Sequence, residues 1–133
     1  MPNDPLNILL IDDDLDTLNV LRLGLHKAGH KVYTANSWEQ TEARIEENDH
    51  KFNPFDLVIL DLMMPDKNGF EVYELLRDRL YPMPKVFILT AQNHKGIAAQ
   101  AAELGAANFF VKPISILRLN SAIEELIRPD LVK

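Results

Sequence analysis

The sequence predicts an α/β fold, a doubly wound sheet of five parallel strands with helices on both faces, built as a (βα)5 chain. Two observations carry the prediction. Five short apolar runs, each bounded by polar or turn residues, alternate with five segments of helical spacing, and such alternation favours parallel strands joined by right-handed crossovers. Four of the five runs also stop at residues that carry chemistry, which is where the functional crevice of such a sheet opens.

The apolar runs are Asn7–Ile11 (NILLI), Lys31–Ala35 (KVYTA), Asp56–Leu60 (DLVIL), Lys85–Leu89 (KVFIL) and Asn108–Val111 (NFFV). Continuous apolar runs of this length, rich in Val, Ile and Phe, read as strands covered on both faces. KVYTA is the weakest of them. Leu18, Leu21 and Leu25 lie at i, i+3 and i+7 and mark the first helix, with Asp16 placed at its cap. Ser37 followed three residues later by Gln40 opens a second helix that runs to about Asn48. A third, Phe70–Leu80, follows the Asn68-Gly69 break, and a fourth, Ile97–Leu104, stops at Gly105. The fifth, Ile114–Ile127, offers Leu117, Ile123 and Leu126 to the core and ends before Pro129.

The chain of 133 residues is one domain, residues 1–133, with a flexible start over residues 1–5. It contains no cysteine, which removes disulfides, thiolate nucleophiles and thiolate metal sites and suits a reducing cytoplasm. Met1-Pro2-Asn3-Asp4-Pro5 has neither the basic nor the apolar region of a signal peptide. No apolar run approaches the ~20 residues of a membrane span. A net charge of −6 repels phosphate backbones, so the chain is expected to bind neither nucleic acid nor membrane directly. His26, His30, His50 and His94 have no metal-ligand spacing and read as surface or partly buried.

The strand ends supply Asp12-Asp13-Asp14, Asp61, Thr90 and Lys112. Three carboxylates held within about 4–6 Å repel one another by several kcal/mol. A hard divalent cation relieves that strain, and Mg²⁺ favours such oxygen donors. Phosphoryl transfer needs this equipment: a metal, an opposing cation, a hydroxyl donor and an in-line nucleophile. Asp61 can be that nucleophile through an aspartyl-phosphate. Lys112 would then meet the developing charge and Thr90 a phosphoryl oxygen.

The quoted stretches ILLIDDD (Ile8–Asp14), LVILDLMMPDKNG (Leu57–Gly69), ILTA (Ile88–Ala91) and FFVKP (Phe109–Pro113) together resemble the receiver domain of two-component response regulators, in order and spacing, over about Asn7 to Ile127. The resemblance implies a flavodoxin-like fold with strand order 2-1-3-4-5. It implies that Asp61 is the phosphoacceptor, taking a phosphoryl group from a phosphohistidine on a sensor histidine kinase or histidine phosphotransfer protein. Asp12, Asp13 and Asp61 would hold Mg²⁺ with the main-chain carbonyl of Met63. Thr90, Phe109 and Pro113 would form the switch, the Lys112–Pro113 junction being one that is often cis in such domains. Asp14 receives no ligand role. Phosphorylation would shift the surface from about Ile97 to Ile127 toward a downstream effector or output domain. That makes the chain a regulatory phosphoacceptor and not an enzyme; its oligomeric state is left open.

Met63 and Gln92 sit at positions that vary in such domains and influence how fast the phosphoryl group hydrolyses. Asn48–Phe55 is longer than a compact helix-to-strand turn there. Two other readings compete. Asp14-Leu15-Asp16-Thr17 resembles the nucleophile motif of haloacid-dehalogenase-like phosphatases, which would make Asp14 the nucleophile. A receiver-shaped interaction module that is never phosphorylated is the other.

Overall fold

A strand that is apolar without alternation has no face to give to water, so it must lie between two layers. The computed structural model describes residues 5–48, 55–64, 67–91 and 95–127, and it is built on that rule. In chain order the elements are β1 (Asn7–Ile11), α1 (Leu15–Lys27), β2 (Lys31–Ala35), α2 (Trp38–Asn48), β3 (Leu57–Leu60), α3 (Gly69–Arg79), β4 (Lys85–Thr90), α4 (Lys95–Leu104), β5 (Asn108–Val111) and α5 (Ile116–Ile127). All four neighbouring pairs are parallel, in the order β2-β1-β3-β4-β5. This is the flavodoxin-like arrangement expected.

The pleat sorts the core into two clusters. Ile8, Leu10, Leu57, Ile59, Phe87, Leu89 and Phe110 face α1 and α5, where they meet Leu18, Leu21, Leu25, Leu119 and Ile123. Leu9, Ile11, Val58, Leu60, Val86 and Ile88 face α2, α3 and α4. Each fully buried Leu or Ile contributes about 1.5–3 kcal/mol, so both layers are held by the sheet between them. Phe110 turns to the first cluster and half-buried Phe109 to the second, one to each side as expected.

The helix ends follow from local chemistry. Ser37 Oγ accepts the Gln40 N–H at 3.1 Å, while Gln40 Oε1 accepts from Asn36 N–H, one residue further back than a standard capping box. Asn68 caps α3 with Glu71 returning the bond. At the far ends, Gly29 (φ 101°) and Gly105 (φ 97°) adopt the left-handed conformation that closes α1 and α4. His30 N–H reaches back to Leu25 O and Ala106 N–H to Ala101 O, the six-to-one bond of a Schellman motif.

Four expectations are corrected. Leu117 is 80% exposed, and Leu119 takes its place in the core. The buried stripe of α5 is Leu119, Ala122 and Ile123, with Ile116 partly buried against the same cluster, and Leu117 lies about 200° round the helix from Leu119. His30 is buried, because the Schellman turn after Gly29 folds it inward, where Nδ1 accepts the Leu6 N–H at 3.0 Å. Asp56 lies just outside β3, holding the start of β1 with its carboxylate on the Asn7 N–H (2.8 Å). Asp14, not Asp16, supplies the cap of α1. Most of the Asn48–Phe55 extension, residues 1–4 of the start expected to be flexible, His50, Gln92 and His94 lie outside the described residues. Among the described residues no helix is long and apolar enough to cross a membrane.

Candidate functional site

β1 and β3 are neighbours in register, Ile11 opposite Leu60, so the residues that follow, Asp12 and Asp61, emerge side by side. The ladder continues past them: Asp61 N–H donates to Ile11 O and Asp12 N–H to Ala35 O. Lys112 follows β5, and its N–H donates to the Thr90 carbonyl at 2.8 Å. Counting the two-residue period outward from the core clusters puts Asp12, Asp61 and Lys112 on the α1/α5 side. The same count puts Thr90 and Phe109 on the other.

The distances agree with that count. Lys112 Nζ lies 2.7 Å from Asp12 Oδ2 and 3.1 Å from Asp61 Oδ2. Asp12, Asp13 and Asp61 each bring a carboxylate oxygen within 4.8 Å of the others, Asp12 and Asp61 buried and Asp13 exposed. Asp61 Oδ1 accepts the Met63 N–H at 3.0 Å, and Asp12 Oδ1 accepts the Asp14 N–H at 2.9 Å. Thr90 is fully buried. The Met63 side chain is half-exposed beside the site, and Met64 packs into the core. The Lys112–Pro113 bond is cis, and so is the Tyr81–Pro82 bond.

Electrostatics mark the cluster as strained. Burial, foremost, lifts the Asp12 carboxyl from 3.8 to about 6, with the Asp61 charge adding to it and Lys112 and the Asp14 N–H opposing. Burial also works against the Lys112 charge, but the two carboxylates outweigh it and hold the ammonium above its ordinary value. One lysine against three carboxylates leaves negative charge in excess. Asp12 Oδ2 receives no directed hydrogen bond and has only the ammonium's charge beside it. A buried oxygen in that state, among oxygen donors alone, fits a hard divalent cation such as Mg²⁺. A cavity of about 510 Å³ opens next to the cluster, lined by Lys112, Asp14, Thr17, Val20, Leu89 and Pro113.

Asp14 is occupied elsewhere. It accepts from the Asp16 N–H at 3.1 Å and from the Thr17 hydroxyl at 2.8 Å. As the nucleophile of a phosphatase it finds no support, because both its oxygens are committed to the start of α1. The cap role of Asp14 was open to sequence reasoning through the Asp-x-x-Thr spacing.

A family model described as the response regulator receiver domain matches residues 8–124. The chain is 31% identical over 121 residues to the alkaline phosphatase synthesis transcriptional regulatory protein PhoP of Bacillus subtilis, covering 91% of this chain and 48% of that one. It is similar to the non-phosphorylated HemR receiver domain from Leptospira biflexa (TM-score 0.78, 32% identity, 93% of this chain and 94% of that chain). It is also similar to a CheY-like response regulator receiver domain protein from Methanospirillum hungatei (TM-score 0.80, 26% identity, 95% and 96%). The chain spans about half or less of the length of the curated relatives it matches.

Proposed function

The chain belongs to the response regulator receiver domain family and is a receiver domain of a two-component response regulator, and we propose that Asp61 is its phosphoacceptor. The observation that carries this reading is the setting of Asp61: buried, one oxygen on the Met63 N–H, the other on Lys112, and within one carboxylate cluster with Asp12 and Asp13. Asp12, Asp13, Asp61 and the main-chain carbonyl of Met63 would hold Mg²⁺, which when bound supplies positive charge to the phosphoryl oxygens.

The donor is a phosphohistidine on a sensor histidine kinase or histidine phosphotransfer protein, and the cavity beside Lys112 gives it room to approach. An Asp61 oxygen attacks phosphorus, the P–N bond breaks, and the imidazole leaves and takes a proton from water. Lys112 moves its charge from the Asp61 carboxylate to the new phosphoryl oxygens. The Thr90 hydroxyl then hydrogen-bonds one of those oxygens. Half-buried Phe109, on the same side of the sheet as Thr90, turns inward, and α4, β5 and α5 shift toward the state that binds an effector or output domain. The module is regulatory and turns over no substrate of its own. A cysteine-free chain suits the cytoplasm, where we place the exchange.

Mass spectrometry after incubation with Mg²⁺ and a small phosphodonor tests the reading. Wild type is expected to gain one phosphoryl mass and Asp61→Asn none; an equal gain in both overturns the assignment.

A further inference from the structure

We propose that Asp14 is a positioning residue for the metal-binding carboxylates, aiming Asp12 by capping α1 and making no contact with the ion. The inference rests on the reading of Asp12, Asp13 and Asp61 as Mg²⁺ ligands. Asp14 has extended backbone (φ −85°, ψ 109°), and its carbonyl accepts the Leu18 N–H at 3.0 Å, the first bond of the helix. Its two carboxylate oxygens are taken by the Asp16 N–H and the Thr17 hydroxyl. Its own N–H is the donor that holds Asp12 Oδ1 at 2.9 Å. One residue therefore joins the rigid end of α1 to the orientation of a buried ligand oxygen.

That link opposes a definite force. Like charges within 4.8 Å drive the three carboxylates apart in the metal-free chain. The backbone of Asp12 is tied to Ala35 of β2 and that of Asp61 to Ile11 of β1, while the carboxylate of Asp12 is directed by Lys112 beside Oδ2 and the Asp14 N–H on Oδ1. If the cap is lost, the first turn of α1 frays and that N–H no longer has a fixed direction. A preorganised ligand set binds its ion more tightly because less ordering remains to be done.

The competing explanation is the charge of Asp14 acting on the ion through space. Asp14 is exposed, so such a field is screened by salt. Asn and Ser are good caps without charge, and they separate the two explanations. Mg²⁺ titrations of the full chain are followed by the amide shifts of Asp61 and Met63, and amide hydrogen exchange at Asp14 and Asp16 is measured without metal. Asp14→Ala is expected to weaken Mg²⁺ binding about fivefold, the size of a typical cap contribution, and to speed exchange at both amides. Asp14→Asn and Asp14→Ser are expected to stay within about twofold of wild type. Unchanged affinity in Asp14→Ala, with binding lost in Asp61→Asn, overturns the proposal alone. Asn and Ser variants as weak as Ala overturn it in favour of the field. Wild type that binds no Mg²⁺ overturns the ligand reading and the proposal with it.

Discussion

Replacing Lys112 with methionine keeps the length of the side chain and removes its charge from between two buried carboxylates. At an effective dielectric near 20, its contacts of 2.7 and 3.1 Å represent about 5–6 kcal/mol of gross attraction each. The Asp12 and Asp61 oxygens, within 4.8 Å of one another, repel by about 3 kcal/mol or more on the same scale. Desolvation cancels much of the attraction, and leaving a buried charge without its partner costs about 3–5 kcal/mol. Lys112 keeps 18% of its side chain in solvent, so the lower end applies: about 3 kcal/mol near pH 7.5 without metal, or roughly 10 °C in Tm.

The deficit has a sign in pH. Asp12 already stands at about 6 with the lysine present, and without the opposing ammonium it holds its proton higher still. An acid whose folded pKa is raised adds stability below its unfolded pKa and loses it as the pH climbs through the folded one. The loss in Lys112→Met therefore shrinks toward about pH 5, grows toward about pH 8, and is partly restored by Mg²⁺. Urea unfolding at both pH values, with and without Mg²⁺, measures it. A loss of equal size under all four conditions, or none, refutes the electrostatic account of the cluster.

Gly24→Ala would drive a Cβ into Ile116 Cγ1 and Cδ1. Overpacking of about 1–3 kcal/mol outweighs the gain of up to about 1 kcal/mol in helix propensity, so thermal unfolding should occur at lower temperature, with part of the loss recovered in the Ile116→Ala background. Leu119→Ala should cost about 2–5 kcal/mol in urea unfolding, while Leu117→Ser stays within about 0.5 kcal/mol. Burial holds the His30 imidazole below 6.5, with Glu124 opposing. Its neutral form is the one that fits the fold, so stability is fully present above 6.5 and falls as the pH drops through the folded value. In His30→Gln that slope should flatten, as measured by unfolding at pH values either side of 6. Met63→Asn should shorten the lifetime of phosphorylated Asp61, read by loss of the phosphoryl mass with time; an unchanged lifetime removes Met63 from hydrolysis control.

The strands and the strand-end residues were legible because both rest on signals one residue wide: an unbroken apolar run and the polar residue that ends it. Asp12, Asp61 and Lys112 were found for that reason, and the geometry brings them together. Helix faces were read less well. Leu117 was offered to the core together with Ile123 and Leu126, yet at about 100° per residue it lies about 120° from Ile123 and opposite Leu126, so the three share no face, and Leu117 is the exposed one. His30 was placed toward the surface because burial there is set by the left-handed Gly29 behind it, a backbone property no side-chain pattern announces. Asp14 was passed over for Asp16, an aspartate only two residues on, although the hydroxyl of Thr17 three residues after Asp14 marks Asp14 as the cap. The division of Asp12, Asp61 and Lys112 from Thr90 and Phe109 was available by counting in twos from each strand, but only once the core sides were known.

That counting has a consequence for β5, whose four residues serve both sides of the sheet. Deleting Asn108, the residue that opens the strand, would leave it as oily as before and still able to pair with β4. Lys112 would then look toward α4 and the aromatic lever toward α1. Receipt of the signal and its relay would fail together, in a protein that still folds.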